Sequence, residues 1–111
     1  GEVDVRLTRR EEVVGTPAYM PPEQFHGEAV GHASDQFSFC ASLYEALYGQ
    51  LPFAGETPAA IAYAVSRGEL RSPPRSTRVP AWLHAIVVRG LRPEIKDRFA
   101  SMDELLRALD R

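Results

Sequence analysis

At 111 residues, with 44% hydrophobic and 25% charged side chains and a formal net charge of -2, the chain has the make-up of one folded domain with a single modest core, which argues against a disordered tail. It has no domain-wide basic excess, which disfavours nucleic acid as a partner. Its longest apolar runs, such as Ala59 to Val65, fall far short of the roughly 20 residues a membrane helix needs. The start Gly1-Glu2-Val3-Asp4 lacks the basic-then-apolar order of a signal peptide, and the lone Cys40 can form no internal disulfide. Both features lead us to expect a cytoplasmic protein.

Residues 1–20 show no sustained apolar period, and the charged run Thr8-Arg9-Arg10-Glu11-Glu12 reads as a solvated loop. Pro21 and Pro22 open a short helical turn holding Glu23 to His26, because proline is tolerated where the missing N–H costs nothing. From Ala33 to Tyr48 the sequence carries Phe37, Phe39, Cys40, Leu43, Tyr44, Leu47 and Tyr48 with few charges, so a helix apolar on more than one face is expected in the interior. Ser34 or Asp35 is the expected cap and Gly49 the stop. Leu51-Pro52-Phe53-Ala54-Gly55 is a turn-rich connection. Thr57 then caps, Pro58 starts and Gly68 ends a third helix with Ile61, Ala64 and Val65 inward.

The proline- and arginine-rich stretch 71–78 reads as a surface loop. Pro80 opens a fourth helix on which Leu83, Ile86, Val87 and Leu91 recur at helical spacing. Ser101 and Glu104 form a capping box ahead of a last helix with Leu105, Leu106 and Leu109 on one side. No segment alternates with period two, so an almost entirely α-helical domain is predicted.

The run Val14-Gly15-Thr16-Pro17-Ala18-Tyr19-Met20-Pro21-Pro22-Glu23-Gln24 resembles the end of the activation segment of serine/threonine protein kinases. Pro22-Glu23 stands where that family's signature has Ala-Pro-Glu. Ser34-Asp35-Gln36-Phe37-Ser38-Phe39 and Leu51-Pro52-Phe53-Ala54-Gly55 are similar to bacterial receptor-type kinases in particular. The order of these pieces matches the lower half of the large lobe of a kinase domain, with 1–26 as activation segment and docking loop and 27–111 as helical subdomain.

The resemblance implies roles residue by residue. Gly15, Thr16, Pro17, Ala18, Tyr19 and Met20 would form the wall against which substrate packs, with Thr16 supporting the catalytic loop. On its own, Gly-Thr-Pro is an ordinary turn. Glu23 and Arg98 look like the family's structural ion pair, the alternative being two exposed charges of little energetic worth. Asp35 resembles the anchor of the catalytic-loop backbone, where a plain helix cap is the simpler reading. Thr8 stands at the position of an activation-loop phosphosite. A phosphate there would add about -1.5 to -2 charges beside Arg6, Arg9 and Arg10.

Phosphoryl transfer needs a Gly-rich loop, a phosphate-binding Lys, a catalytic Asp and a Mg-binding Asp. No G-x-G-x-x-G, H-R-D or D-F-G occurs, and the single lysine is Lys96. The chain alone is therefore expected to bind no ATP and transfer no phosphate, ATP and Mg being implied only for a full-length parent. His26, His32 and His84 have no metal-ligand spacing and read as surface or cap residues, and Cys40 reads as a buried small hydrophobe. Two functions follow: a piece of a serine/threonine kinase whose parent phosphorylates protein Ser/Thr, or a non-catalytic helical interaction module. The expected partners are protein substrates and the missing kinase half. Self-association, or partial disorder at residues 1–12, is expected where the missing half leaves apolar surface uncovered.

Overall fold

A computed structural model of the protein describes residues 19–28 and 30–110. Among them the regular structure is entirely helical: α1 Pro22–Phe25, α2 His32–Tyr48, α3 Pro58–Arg67, α4 Ala81–Gly90, a 3-10 turn Ile95–Asp97 and α5 Met102–Leu109. No helix of the described residues is long and apolar enough to cross a membrane.

The helix ends follow from local chemistry. Pro22 stands first in α1 and Pro58 first in α3, where the Thr57 hydroxyl accepts the Ala60 N–H at 3.0 Å. Gly49 and Gly68 close α2 and α3 in the left-handed conformation, at φ 69° in each case, which a side chain would strain. The Ser101 hydroxyl accepts the Glu104 N–H at 3.1 Å and starts α5. The start of α2 differs from expectation. Gly31 is the cap, and Ser34 and Asp35 lie inside the first turn. Ser34 turns its hydroxyl back toward the Gly31 N–H at 3.4 Å and donates to Glu23, while Asp35 is exposed.

Helix α2 lies at the centre, packed by α4 and α5. Its Phe37, Cys40, Ala41, Tyr44 and Tyr48 join Phe53, Val65, Val87, Leu91 and Leu105 in one buried cluster. Phe37 stacks on Phe53 with ring centroids 6.1 Å apart, and Tyr44 meets Tyr48 at 4.5 Å. Burial pushes the Cys40 thiol up to about 12, with nearby Arg98 pulling the other way. This thiol is an inert core group rather than a nucleophile at neutral pH.

Two expected core positions, and one expected surface histidine, behave otherwise. Phe39 is 39% exposed and Leu106 47%, because helical rotation carries them off the stripes that face α4 and α2. His84 is half-buried, and its Nδ1 lies 2.7 Å from the Tyr48 hydroxyl. Helix α2 is therefore not wholly inside. Asp35, Phe39, Ser42 and Ala46, spaced by four, three and four, form an exposed stripe along its length.

The closest approach of α4 to α2 runs through Gly90. A Cβ built there would lie 2.3 Å from the Cys40 sulfur and 3.2 Å from its Cβ. Alanine at Gly90 would gain up to about 1 kcal/mol of helix propensity, but overpacking of a closed core costs about 1–3 kcal/mol, so the net effect is a loss. We expect Gly90→Ala to lower the urea midpoint measured by circular dichroism, and Cys40→Ala in the same chain to restore part of it. An unchanged or raised midpoint in the single variant would contradict this contact.

Candidate functional site

Helix α1 is only four residues long, and it carries Glu23 into the interior at 3% exposure. The loop between α4 and α5 brings Arg98 to meet it, at 2% exposure. One guanidinium nitrogen donates to Glu23 Oε2 at 2.9 Å and the other to Oε1 at 3.0 Å, a two-pronged pair. The remaining donors are also satisfied: Nε reaches the Arg92 carbonyl at 2.8 Å, and the terminal nitrogens reach the carbonyls of Ala33 at 3.0 Å and Pro93 at 3.3 Å. The Ser34 hydroxyl donates to Glu23 Oε2 at 2.8 Å. Five donors of one residue thus tie α1, the start of α2 and the α4–α5 loop at a single point. The Phe37 ring covers the guanidinium at 5.2 Å.

Burial by itself raises the Glu23 pKa, but the bonds from Arg98, its own backbone amide and Ser34 outweigh that and hold it below its ordinary value. The carboxylate is charged at neutral pH.

Beside this pair lies a contact that sequence reasoning missed. Gln36 is fully buried, its amide nitrogen donating to the Phe99 carbonyl at 3.0 Å and its Oε1 accepting the Phe99 N–H at 2.9 Å. The reciprocal pair fixes the residue after Arg98, and Arg89 closes over the Phe99 ring at 4.1 Å. The signal was present: an amide in the apolar run of α2 must find partners if buried.

Tyr19 and Met20 are half-buried at the end of the loop that leads into α1. The Tyr19 carbonyl accepts the Ser38 hydroxyl at 2.7 Å, and its phenol donates to Glu45. That bond, burial and the negative charge of Glu45 push the phenol up to about 12, so it stays a donor. Both ends of Tyr19 are therefore engaged by α2. Gly15, Thr16, Pro17, Ala18 and Thr8 lie outside the described residues. The structure brings together Tyr19, Met20, Glu23 and Arg98 around α1 and leaves Asp35 apart on the outer face of α2. Among the described residues no group of three or more His, Cys, Asp or Glu side chains could hold a metal ion.

The site is thus a helical base with a loop end locked to it by a buried arginine. The protein kinase domain family matches residues 4–108, and the chain belongs to that family. It is 35% identical over 106 residues to the probable serine/threonine-protein kinase SCO3848 of Streptomyces coelicolor, covering 95% of this chain and 16% of that protein. It is 37% identical over 105 residues to the tyrosine-protein kinase MasK of Myxococcus xanthus, covering 93% of this chain and again 16% of the relative. The solved structure of the Rad53 kinase domain with SCD2 and AMPPNP matches at a TM-score of 0.71 and 23% identity, over 82% of this chain and 36% of that one, a likeness of fold. The chain thus spans about a sixth of the length of these curated relatives.

Arg98→Ala leaves the Glu23 charge buried and unpaired, which costs about 3–5 kcal/mol. Urea unfolding should show that loss, and the Glu23→Ala/Arg98→Ala double variant should lose less than the sum of the two single variants. A loss below about 1 kcal/mol, the level of an exposed pair, would remove the network from its central place.

A pH dependence follows from the same carboxylate. Its folded pKa lies below the ordinary 4.5, so the unfolded chain binds the proton more readily. The stabilisation is complete above about pH 4.5 and fades as pH falls through the lower folded value. The difference in urea midpoint between the native chain and Glu23→Gln should hold steady from neutrality down to that point, then close. A difference that widens in acid would show the shift to have the opposite sign.

Proposed function

We propose that this chain is the docking ledge and helical base of a serine/threonine protein kinase, working in the cytoplasm, whose whole transfers the γ-phosphate of ATP to protein Ser/Thr. Residues 1–26 are its activation segment and docking loop, and 27–111 its helical subdomain. The observation that carries this reading is the buried Glu23–Arg98 pair, which seats the loop end on α2 next to Tyr19 and Met20. A ledge that must hold an acceptor segment within reach of a reacting phosphate gains from such rigidity, because misplacement of about 1 Å can cost a hundredfold in rate.

The exposed stripe Asp35, Phe39, Ser42 and Ala46 supports the second part of the reading. A carboxylate and a phenylalanine one turn apart on an otherwise buried helix suit a covering element, which we assign to the nucleotide-binding half. Asp35 then anchors the catalytic loop through backbone N–H groups. Gly15 to Met20 form the substrate wall, with Thr16 supporting the catalytic loop, and Thr8 is the phosphosite. Mg-ATP is left to the rest of the kinase on the ground of sequence: the chain has no G-x-G-x-x-G, H-R-D or D-F-G, and its single lysine, Lys96, is exposed in the 3-10 turn between Glu94 and Asp97. No step of phosphoryl transfer is assigned to this chain alone.

The test compares the 111-residue chain with the product of the longest reading frame that contains it, each given Mg and γ-labelled ATP with a mixture of protein acceptors. Labelled phosphoserine and phosphothreonine from the longer product, none from the chain alone, and a fall of at least about tenfold on Asp35→Ala with the fold retained are expected. Transfer by the isolated chain would refute its inactivity. A longer product without transfer would favour the interaction module, and phosphotyrosine alone would refute the acceptor class.

A further inference from the structure

A cleft of about 520 Å³ opens where the C-terminal end of α2, the proline- and arginine-rich loop and the first turn of α4 meet. Leu47, Pro74, Val79 and Leu83 line it with apolar surface, and Ser76 and Arg78 stand among its polar lining. It shares no residue with the Glu23 and Arg98 network. Its size falls within the roughly 300–1,000 Å³ typical of ligand clefts and suits one or two apolar side chains.

The loop that walls this cleft is tied down at its start and braced by turns of its own ahead of α4. The Tyr44 hydroxyl donates to the Arg71 carbonyl at 2.8 Å, the Arg71 N–H to the Pro52 carbonyl at 2.8 Å, and the Gln50 amide to the Ser72 carbonyl at 2.9 Å. Toward α4, the Thr77 N–H reaches the Pro74 carbonyl at 3.3 Å and the Val79 N–H reaches the Thr77 hydroxyl at 3.2 Å. Pro73, Pro74 and Pro80 fix three backbone angles of the same stretch. A wall already ordered in this way has little conformational entropy left to lose on binding.

The charge around the cleft is one-sided. Arg71, Arg75 and Arg78 are exposed, and residues 71–80 contain no acid, on a chain whose net charge is -2. Among the described residues none of the three arginines has a carboxylate within ion-pair distance, whereas Arg67 has Glu69 at 3.6 Å. Arg78 in the lining and Arg75 between the lining residues Pro74 and Ser76, beside apolar surface, call for an anionic partner with an apolar anchor.

We propose that this cleft docks an acidic peptide segment of a partner protein, with one aliphatic or aromatic side chain inserted against Leu47, Val79 and Leu83 and flanking carboxylates meeting Arg75 and Arg78. Val79, the one large aliphatic residue of the loop, is half-buried, so no large apolar side chain projects from the loop as insertion into a bilayer surface requires. The aromatic ring at its wall, Tyr48, is buried and bonded to His84, so it offers no face for a nucleobase to stack on.

The test is fluorescence polarisation on the chain with a labelled peptide of four glutamates around a central Leu-Phe. Saturable binding is expected, weakened at least about tenfold by Arg75→Glu/Arg78→Glu, by alanines in place of the peptide's Leu-Phe, and by raising the salt. Both arginines are exposed, so the variant should keep the native circular dichroism spectrum. Equal binding of a lysine-for-glutamate peptide, unchanged affinity in the variant, or no saturation at millimolar peptide would overturn the proposal. Binding to phosphatidylserine vesicles in place of the peptide would overturn it as well.

Discussion

One buried cation organises this domain. Arg98 has five N–H donors in a rigid plane, and each finds an acceptor: two on Glu23 and one on each of three backbone carbonyls. A guanidinium taken out of water is tolerable only when its donors are satisfied and its charge is met. The constraint runs in both directions. Glu23 must be delivered by α1, the carbonyls by the start of α2 and the loop that follows α4, and none of these segments can shift without stranding a charge.

Helix α2 converts that point contact into a platform. Successive turns present Ser34 to Glu23, Gln36 to the Phe99 backbone, Ser38 and Glu45 to Tyr19, and Tyr44 to the Arg71 carbonyl. The loop into α1, α1 itself, the start of the α3–α4 loop and the α4–α5 loop are thus fastened to the same rod by polar bonds, while the apolar residues between those positions fill the core. A helix that is both core and anchor has few tolerant positions, and the approach of Gly90 to Cys40 shows how little room is left.

The sequence was most legible where a structural decision depends on neighbours a few residues apart. Thr57, Pro58 and Gly68 bracket α3, and Ser101 starts α5, because caps and stops act over one turn of chain. It was less legible where rotation about a helix axis decides exposure. Phe39 and Leu106 belong to apolar runs, and only the placement of α4 and α5 against α2 turns them outward. The cap of α2 was misplaced for a related reason. Ser34 has cap chemistry, but Glu23, eleven residues earlier, recruits its hydroxyl.

Taken by itself, the order of residues determined that this chain is helical, where most helices begin and end, and, through its likeness to kinases, which carboxylate and which guanidinium to watch. Those are matters of backbone propensity, capping and motif, all settled within short stretches of chain. Only the tertiary structure decided that Arg98 saturates all its donors, that Gln36 clasps Phe99, that Tyr19 is bound at both its carbonyl and its phenol, and that a cationic cleft forms beside Val79. Each of these joins groups that are distant in the chain. Their energy comes from desolvated polar atoms meeting at about 3 Å, a condition that no local pattern encodes.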